Sequence, residues 1–326
     1  MAYSVLVTGA FGNIGSRIVR HLLAAGHSVV AVDLKTPKTE ALAAGFGDAV
    51  RVIWGNICDP QLWPQALNGV DVVVHMAAII PPAADRNPEL AFAVNQTATL
   101  ALIKSMEASP TAKRLVFASS MTVAGHEQHL RTPPLKVDDP TSATDLYGKA
   151  KVECERAIRA STLRWTILRV AACPPTEMSM SSDPSTIEVI FGTSADGRIE
   201  VVHNDDAALA FANAVDCDAT VGKILFVGGG ERCRTYTLDF YNRVFAAMGL
   251  GPLKPASFRP GPPYFYGDWL DTTESQALLQ FQRHSIDDIV ADLRASAGFK
   301  RHVLKLIAPL VNRMLERRSP YPGPSR

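Results

Sequence analysis

The chain has 326 residues, of which 47% are hydrophobic and 20% charged, and its formal net charge is +1. This composition predicts a globular protein with one large or two modest domains, and the near-neutral charge gives no general reason to expect a polyanionic partner. Five cysteines without a Cys-x-x-Cys pair favour reduced thiols in a cytoplasmic protein. No apolar run approaches the length of about 20 residues that a membrane span needs. A strand pattern begins at Tyr3, so we expect no signal peptide.

The N-terminal segment reads as a strand, a glycine-rich turn, a helix and a second strand. An apolar strand at residues 4–8 leads into a turn that contains Gly9, Gly12 and Gly15. An amphipathic helix follows, and the second strand ends at Asp33. Glycines at such a turn let the backbone approach a pyrophosphate closely, and the helix N-terminus attracts its charge. The segment therefore predicts a dinucleotide-binding site.

Asp33 favours NAD over NADP as the dinucleotide. A carboxylate at the end of the second strand accepts hydrogen bonds from the adenosine ribose and repels a 2′-phosphate. Lys35 and Lys38, just beyond it, would instead suit a phosphate. A capping role for Asp33 is the alternative, but it does not explain the preceding glycines.

Further apolar strands alternate with helical patterns along the chain. Strands are predicted at residues 49–56, 70–78, 114–120, 165–172 and 223–231, and one of the helical patterns covers residues 88–109. This alternation predicts an α/β fold with a doubly wound parallel sheet, the Rossmann arrangement, and a smaller C-terminal α/β substrate domain. Ligands of such sheets bind beyond the carboxyl ends of the strands.

The domain boundaries follow from these patterns. We assign residues 1–173 and 201–231 to the NAD-binding Rossmann domain, residues 174–200 and 232–318 to the substrate domain, and residues 319–326 to a disordered tail. Near the C-terminus, a basic helix is expected to carry Leu304, Ile307, Val311 and Met314 on one stripe, with a kink at Pro309. Docking of this helix on the body or on a partner subunit is favoured over contact with a membrane surface.

Tyr147 and Lys151 lie four residues apart in a helical pattern, so both side chains project from the same face. A neighbouring cation favours the phenolate of a tyrosine, whose ordinary pKa is about 10. The pair is a candidate for acid/base chemistry. Taken alone, the spacing also occurs by chance, as an exposed tyrosine and a solvated lysine.

Six motifs occur in a fixed order along the first 230 residues. They are "TGAFGNIG", "HMAA" at 75–78, "VNQTAT" with Asn95, "SSMTVAG" at 119–125, "YGKAK" and "VVHNDDAALA". Together they resemble the extended short-chain dehydrogenase/reductase family, which includes NAD-dependent epimerases and dehydratases. Each motif is loose by itself, whereas their order and spacing are specific.

The resemblance implies roles for the catalytic residues. Tyr147 is expected to be the general acid/base, and Lys151 is expected to lower the pKa of Tyr147 and to bind the nicotinamide ribose. Ser120 would orient the substrate oxygen, and Asn95 would belong to a proton relay. Thr122 would supply a second hydroxyl to the substrate, unless it is an ordinary loop threonine.

The resemblance also implies the contacts of the NAD cofactor. They are Gly9, Phe11, Gly12, Asn13, Ile14 and Gly15 around the pyrophosphate, Asp33 at the adenosine ribose, Asn56 and Ile57 at the adenine, Ala77, Ala78 and Ser119 at the neighbouring strand ends, and Tyr147 and Lys151 at the nicotinamide end. Asn56 departs from the family, which commonly has aspartate there.

Departures from the family limit the substrate. The segment "LRVAACPPTEM" lacks the asparagine that helps nucleotide-sugar members to hold a sugar diphosphate, and Arg198 is the one arginine in "GRIEVVHNDD". Ala124 replaces the aromatic residue of the serine motif. These changes favour a substrate that is smaller or less anionic than a sugar nucleotide. An aromatic cluster of Tyr264, Phe265, Tyr266 and Trp269 either lines an apolar pocket or packs the small domain.

Three functions remain open from the sequence. The first is an NAD-dependent oxidoreductase or epimerase that transfers hydride at a secondary alcohol or ketone carbon of a small-molecule substrate. The second is a nucleotide-sugar 4-epimerase or dehydratase, and the third is a non-catalytic, dinucleotide-sensing regulator. The resemblance implies a homodimer built from the helices of Asn95 and Tyr147. No metal site is expected, because His126 and His129 have no further ligands at suitable spacing.

Overall fold

The computed structural model describes residues 2–177, 190–262 and 267–321. Seven parallel strands form one sheet in the order β3-β2-β1-β4-β5-β6-β8, and β7 and β9 form a separate antiparallel pair. The strands are β1 Ser4–Thr8, β2 Ser28–Asp33, β3 Val50–Trp54, β4 Val72–His75, β5 Arg114–Ser120, β6 Arg164–Val170, β7 Arg198–Glu200, β8 Lys223–Val227 and β9 Arg234–Tyr236. The predicted doubly wound α/β fold is confirmed.

Helices cover both faces of the large sheet. In the described residues they include α1 Gly15–Ala24, α2 Pro37–Ala44, α3 Leu62–Ala66, α4 Ala83–Arg86, α5 Pro88–Phe92, α6 Ala98–Ala108, α7 Leu146–Ala160, α8 Asn204–Asp216, α9 Thr237–Ala247, α10 Thr273–Leu279, α11 Ile286–Ala297 and α12 Lys300–Arg318. A π-helical turn, Ala93–Thr97, joins α5 to α6. The helix predicted over residues 88–109 is therefore present with a wider turn inside it.

Alternate residues of each central strand enter different cores. Val5 and Val7 of β1 belong to the core that includes α1 and α8. Leu6 belongs to the core on the opposite face, which includes α3 and α6. Burial on both faces explains the continuous apolar runs in the sequence.

The direction of strand order changes beside β1. The chain runs outward from β1 to β2 and β3, then returns to place β4 on the other side of β1. Such a reversal leaves a crevice at the carboxyl ends of the two strands. Thr8 and His75 end β1 and β4, and their side chains hydrogen-bond at 2.7 Å. The crevice is therefore the expected position of a ligand-binding site.

Several further sequence predictions concern the whole chain. All five cysteines are free thiols. Within the described residues, no helix combines the length and hydropathy needed to cross a bilayer. The division into two domains stays a prediction. Most of the predicted tail, residues 322–326, lies outside the described residues, as do Tyr264, Phe265 and Tyr266 of the predicted aromatic cluster.

Candidate active site

The turn between β1 and α1 is shaped by close contacts between backbone segments. Gly9 has φ +63°, and a Cβ added there would lie 3.0 Å from the Cα of Ala77. A Cβ at Gly15 would overlap the carbonyl oxygen of Gly9. The helix N-terminus at Gly15 has no side-chain cap and no acidic residue in its first turn. Its amide groups and dipole therefore suit an anion such as a pyrophosphate.

Asp33 ties the glycine turn to β2. Its Oδ2 accepts a hydrogen bond from the backbone N–H of Phe11, and its Oδ1 accepts one from Leu34, each at 2.8 Å. The ring of Phe11 is buried against Phe46 and Trp54. At this position only the backbone of Phe11, and not its side chain, can border a cofactor.

The residues predicted at the adenine end lie on the loop after β3. Asn56 is exposed, and its Oδ1 accepts a hydrogen bond from the N–H of Cys58 at 3.0 Å. Ile57 is buried in the core. Lys35, one of the lysines that would suit a phosphate, forms an exposed ion pair with Glu40 at 3.4 Å.

A cleft of about 450 Å³ opens at the carboxyl ends of the strands. Its lining includes eleven of the predicted site residues: Gly9, Gly12, Asn13, Ile14, Gly15, Ala78, Ser119, Ser120, Thr122, Tyr147 and Lys151. Phe11, Asp33, Asn56, Ile57, Ala77 and Asn95 are not part of this lining. One cavity thus brings the glycine turn, the serine motif and the tyrosine–lysine pair together.

Lys151 is buried and held in a fixed position. Its Nζ donates a hydrogen bond to the carbonyl oxygen of Ala118 at 2.7 Å. The same atom lies 4.7 Å from the ring centroid of Phe117 and 5.6 Å from that of Tyr147. Burial lowers the pKa of Lys151 to about 8, against the opposing effects of Cys154 and Glu155. Burial thus disfavours the charged form of this lysine.

Tyr147 faces the cleft from the first turn of α7. Burial raises the pKa of its phenol above the ordinary value, a hydrogen bond with Ser120 lowers it, and the Asp145 carboxylate raises it. The resemblance implies that Lys151 lowers this pKa, whereas in the protein alone desolvation dominates and the pKa is raised.

The two hydroxyls predicted at the substrate end differ in their partners. Ser120 accepts a hydrogen bond from the backbone N–H of Thr122 at 3.2 Å and also interacts with the phenol of Tyr147. The hydroxyl of Thr122 is buried without a hydrogen-bond partner among the described residues, although the residue lines the cleft. A buried hydroxyl without a partner is costly, and the predicted contact of Thr122 with the substrate stays a prediction.

The side chains of Asn95 and Ser119 point to the protein rather than to the cleft. Asn95 accepts a hydrogen bond from the N–H of Ile79 at 2.7 Å and donates one to its carbonyl oxygen at 2.8 Å. The hydroxyl of Ser119 donates to Glu155 at 2.5 Å. In this arrangement Asn95 braces the loop after β4, and Ser119 presents its backbone to the cleft.

A buried ion pair that the sequence reasoning missed lies behind Ser119. Arg169 of β6 and Glu155 of α7 make two hydrogen bonds, at 2.7 and 3.0 Å, and their side chains are only 5% and 6% exposed. Glu155 stands one helical turn after Lys151. The sequence could have indicated this pair, because Glu155 follows Lys151 by four residues and therefore lies on the same helix face as Tyr147 and Lys151.

A second polar chain connects β1, β4 and α6. His75 hydrogen-bonds the hydroxyl of Thr8 through Nδ1 and that of Thr99 through Nε2, at 2.7 and 3.0 Å. Burial, with a smaller effect of Lys151, lowers the pKa of His75 to about 3. The histidine of the "HMAA" motif is therefore neutral and holds the strand ends together.

Much of the cleft wall was also missed. The additional lining residues are Met76, Ile80, Pro81, Ala118, Met121, Val170, Ala171, Ala172 and Cys173. Most of them directly follow β4, β5 or β6. Their position at the carboxyl ends of predicted strands could therefore have indicated that they line a ligand site. Asn204 was missed as well; its Nδ2 donates to the Oδ1 of Asn13 at 2.8 Å.

His203, Asp206 and His284 form a polar cluster away from this cleft lining, with donor atoms close enough for a metal ion. The two imidazole rings are stacked with centroids 4.1 Å apart. Both ring nitrogens of His203 already have partners, Asp292 at Nε2 and the backbone N–H of Asp205 at Nδ1. Asp206 accepts hydrogen bonds from the backbone of Arg283 and His284, so the cluster ties α8 to the segment before α11.

Fold and cleft define a dinucleotide-binding protein with the tyrosine–lysine pair of short-chain dehydrogenases. A model of the NAD-dependent epimerase/dehydratase family matches residues 5–173. The chain belongs to this family, which confirms the resemblance and the predicted NAD cofactor.

Relatives in the family act on different substrate classes. Over 181 residues the chain is 32% identical to UDP-glucose 4-epimerase 2 of Arabidopsis thaliana, covering 52% of this chain and 51% of the relative. Over 197 residues it is 26% identical to the decarboxylating sterol-4-alpha-carboxylate 3-dehydrogenase of Homo sapiens. This match covers 60% of this chain and 50% of the relative. The chain thus spans about half the length of these relatives.

Solved structures show the same fold. UDP-glucuronic acid 4-epimerase from Bacillus cereus, in complex with UDP-glucuronic acid and NAD, superposes with a TM-score of 0.75 at 20% sequence identity. The match covers 90% of this chain and 98% of that one. It extends beyond the part of the chain that the family model matches.

The buried ion pair behind Ser119 gives a stability prediction. Arg169→Met leaves Glu155 as an unpaired buried carboxylate, so we expect the free energy of unfolding to fall by about 3–5 kcal/mol. Urea denaturation followed by circular dichroism measures the change. The matched control is Arg164→Met on the same strand, where the pair with Asp218 is exposed and the expected loss is about 0.5 kcal/mol or less. Equal losses in both variants would contradict this account.

Proposed function

We propose that the protein is an NAD-dependent oxidoreductase of the extended short-chain type that acts at a secondary alcohol or ketone carbon. One observation carries the proposal: Ser120, Tyr147 and Lys151 line the same cleft, and the Nζ of Lys151 lies 5.6 Å from the ring centroid of Tyr147. The glycine turn borders this cleft, so a dinucleotide bound there would extend toward the three side chains.

The acid/base step follows from this geometry. For oxidation, the phenolate of Tyr147 takes the proton of the substrate hydroxyl, while Ser120 hydrogen-bonds the same oxygen and orients it. NAD, when bound, supplies the group that accepts hydride from the substrate carbon. Lys151 stabilises the phenolate by its charge. Acid/base catalysis of this kind contributes about 10²–10⁴ in rate.

The cofactor contacts inferred from the family also belong to this proposal. The fit rests on the two glycines whose Cβ atoms would meet backbone and on the uncapped N-terminus of α1. Asp33 would hold the adenosine ribose while it keeps its bond to the turn. Asn56 and Ile57 would lie near the adenine, and Ala77 near the nicotinamide end.

The substrate we propose is a largely apolar alcohol or ketone. Among the described residues that line the cleft, Lys151 is the only one with a charged side chain. Arg198, the arginine that could serve a diphosphate, is held by Asp268 at 2.7 Å. A second diphosphate, in addition to the pyrophosphate of NAD at the glycine turn, would require further cations or many donors, whereas Met76, Met121 and Val170 suit a hydrocarbon surface.

A nucleotide-sugar epimerase is the second candidate, favoured by the family relatives that are UDP-glucose 4-epimerases. It would use the same three side chains and return the hydride to the substrate. NADH would then not accumulate. A regulator without catalysis would not need Tyr147 and Lys151 in one cleft.

We also propose a cytoplasmic homodimer formed through the helices of Asn95 and Tyr147. Leu90 and Phe92 of α5 and Leu146 of α7 are large apolar side chains left exposed near these helices. Multi-angle light scattering should give twice the chain mass of 35.2 kDa, and Phe92→Ser with Leu146→Ser should shift the protein to monomers. A monomeric native protein would contradict the dimer.

The function is tested by Tyr147→Phe, which removes only the reacting hydroxyl. With NAD and a panel of sterols, aromatic alcohols and UDP-sugars, we expect the native protein to produce NADH from an apolar alcohol and the variant to lose at least about 10² in turnover. NAD binding, measured by calorimetry, should persist, because the glycine turn, Asp33 and Lys151 are retained. Product from UDP-sugars without NADH would favour the epimerase, and equal turnover in the variant would contradict the mechanism.

The pH dependence tests the role of Lys151. Oxidation needs the phenolate, so its rate should rise with pH, and removing the neighbouring cation should raise the pKa of Tyr147 and displace the profile to higher pH. Lys151→Met should show this displacement in kcat at saturating NAD, by about one pH unit or more. Lys149→Met, an exposed lysine on the same helix, is the control. Identical profiles for Lys151→Met and the native protein would exclude the proposed electrostatic effect.

A further inference from the structure

Among the described residues, the contacts of helix α12 with the rest of the protein lie along one side. Asn312 donates a hydrogen bond to the carbonyl oxygen of Pro252 at 3.2 Å, and Glu316 pairs with Lys254 at 2.6 Å. Leu315 packs against the buried cluster that contains Phe258. Just beyond the helix, the buried Ser319 donates to the carbonyl oxygen of Ser257. These contacts fix which side of α12 faces away from the body.

The opposite side of α12 is apolar and exposed. We call it the outer face; it consists of Phe299, Val303, Leu306, Ile307, Leu310 and Met314. Phe299 is 80% exposed, Leu306 84% and Leu310 71%. At about 100° per residue, all six project from one sector about 100° wide. Such a continuous apolar surface on a fixed helix indicates that something else covers it.

The outer face differs from the stripe expected from the sequence. Leu304 and Val311 of that stripe are half-buried on the side toward the body, whereas Ile307 and Met314 belong to the outer face. Helix α12 continues through Pro309 to Arg318. Helix α12 is thus docked on the body of the protein through one side, as expected, while a second, apolar side stays exposed.

Positive charge borders the outer face at both edges: Lys300 and Arg318 lie just beyond Ile307 and Arg313 lies just beyond Leu306, whereas Arg301 and Lys305 lie toward the docked side. From Lys300 to Arg318 the helix carries Lys300, Arg301, Lys305, Arg313, Arg317 and Arg318, six cations, against the single acid Glu316, which is on the docked side. A hollow of about 350 Å³ beside the helix is lined by Arg294, Arg301, His302 and Lys305, among other residues. Apolar side chains bordered by cations match the boundary between acyl chains and anionic headgroups.

We propose that the outer face of α12 binds the surface of a membrane that contains anionic phospholipids. The helix lies in the plane of the interface, with Leu306 and Leu310 among the acyl chains and with Arg313 and Arg317 at the headgroups. A second copy of this chain fits less well, because pairing two outer faces brings their arginines together. Charge complementarity thus selects the lipid as the occupant.

Vesicle co-sedimentation of the full-length protein tests the proposal. We expect binding to vesicles of phosphatidylcholine mixed with phosphatidylglycerol, and binding at least about tenfold weaker to phosphatidylcholine alone. High salt should weaken the binding, since it screens the exposed charges. Failure to bind either kind of vesicle would overturn the proposal.

Three variants separate lipid binding from self-association through the outer face. Leu306→Ser with Leu310→Ser should weaken binding to anionic vesicles by about tenfold or more, and Arg313→Gln with Arg317→Gln should remove most of the preference for anionic lipid. Leu130→Ser changes an equally exposed leucine outside α12 and should bind as the native protein does. The proposal is overturned if the double variant Leu306→Ser with Leu310→Ser binds anionic vesicles as the native protein does. It is also overturned if this variant converts an oligomer into monomers in light scattering while its vesicle binding persists. Unchanged NAD affinity in every variant verifies the fold.

Discussion

A buried ammonium group holds the candidate catalytic centre in shape. The Nζ of Lys151 is fixed by the carbonyl oxygen of Ala118 and lies over the rings of Phe117 and Tyr147. One helical turn later, Glu155 pairs with Arg169 of the neighbouring strand. Because these contacts are made to β5 and β6, α7 can neither rotate nor slide without leaving a charge unpaired in the interior. The phenol of Tyr147 is consequently directed into the cleft.

The parts of the fold with continuous apolar patterns could be predicted from the sequence. The strand Ser4–Thr8 and the strand at 114–120 have the expected bounds, because sheet strands buried on both faces must be apolar along their whole length. The π turn inside the helix of Asn95 could not be predicted, since wide and ordinary turns use the same residue types. A hydrophobic pattern does not show which side chains contact the rest of the protein. For this reason the sequence predicted a single apolar stripe on α12, whereas the structure has a docked side and an exposed apolar side.

In the candidate site, motifs predicted which residues take part but not the properties that those residues acquire from their neighbours. Motifs identified Tyr147, Lys151 and the glycine turn, because spacing alone brings such residues to one strand end. They did not indicate that burial raises the pKa of the phenol, or that both amide atoms of Asn95 are used by Ile79. Those properties depend on neighbours that are distant in sequence. The apolar wall of the cleft and the outer face of α12 are likewise products of folding, and both are suited to hydrophobic molecules.

The π turn at Ala93–Thr97 affects how this helix can vary in length. A π turn accommodates one extra residue while the helical segments on either side keep their own phase. Here the wider turn contains Asn95, whose carbonyl oxygen accepts hydrogen bonds from the hydroxyl of Thr99 and the thiol of Cys154. Deletion of one residue from this turn would restore an uninterrupted α-helix, and the amide of Asn95 would then lose its position against the loop that borders the cleft.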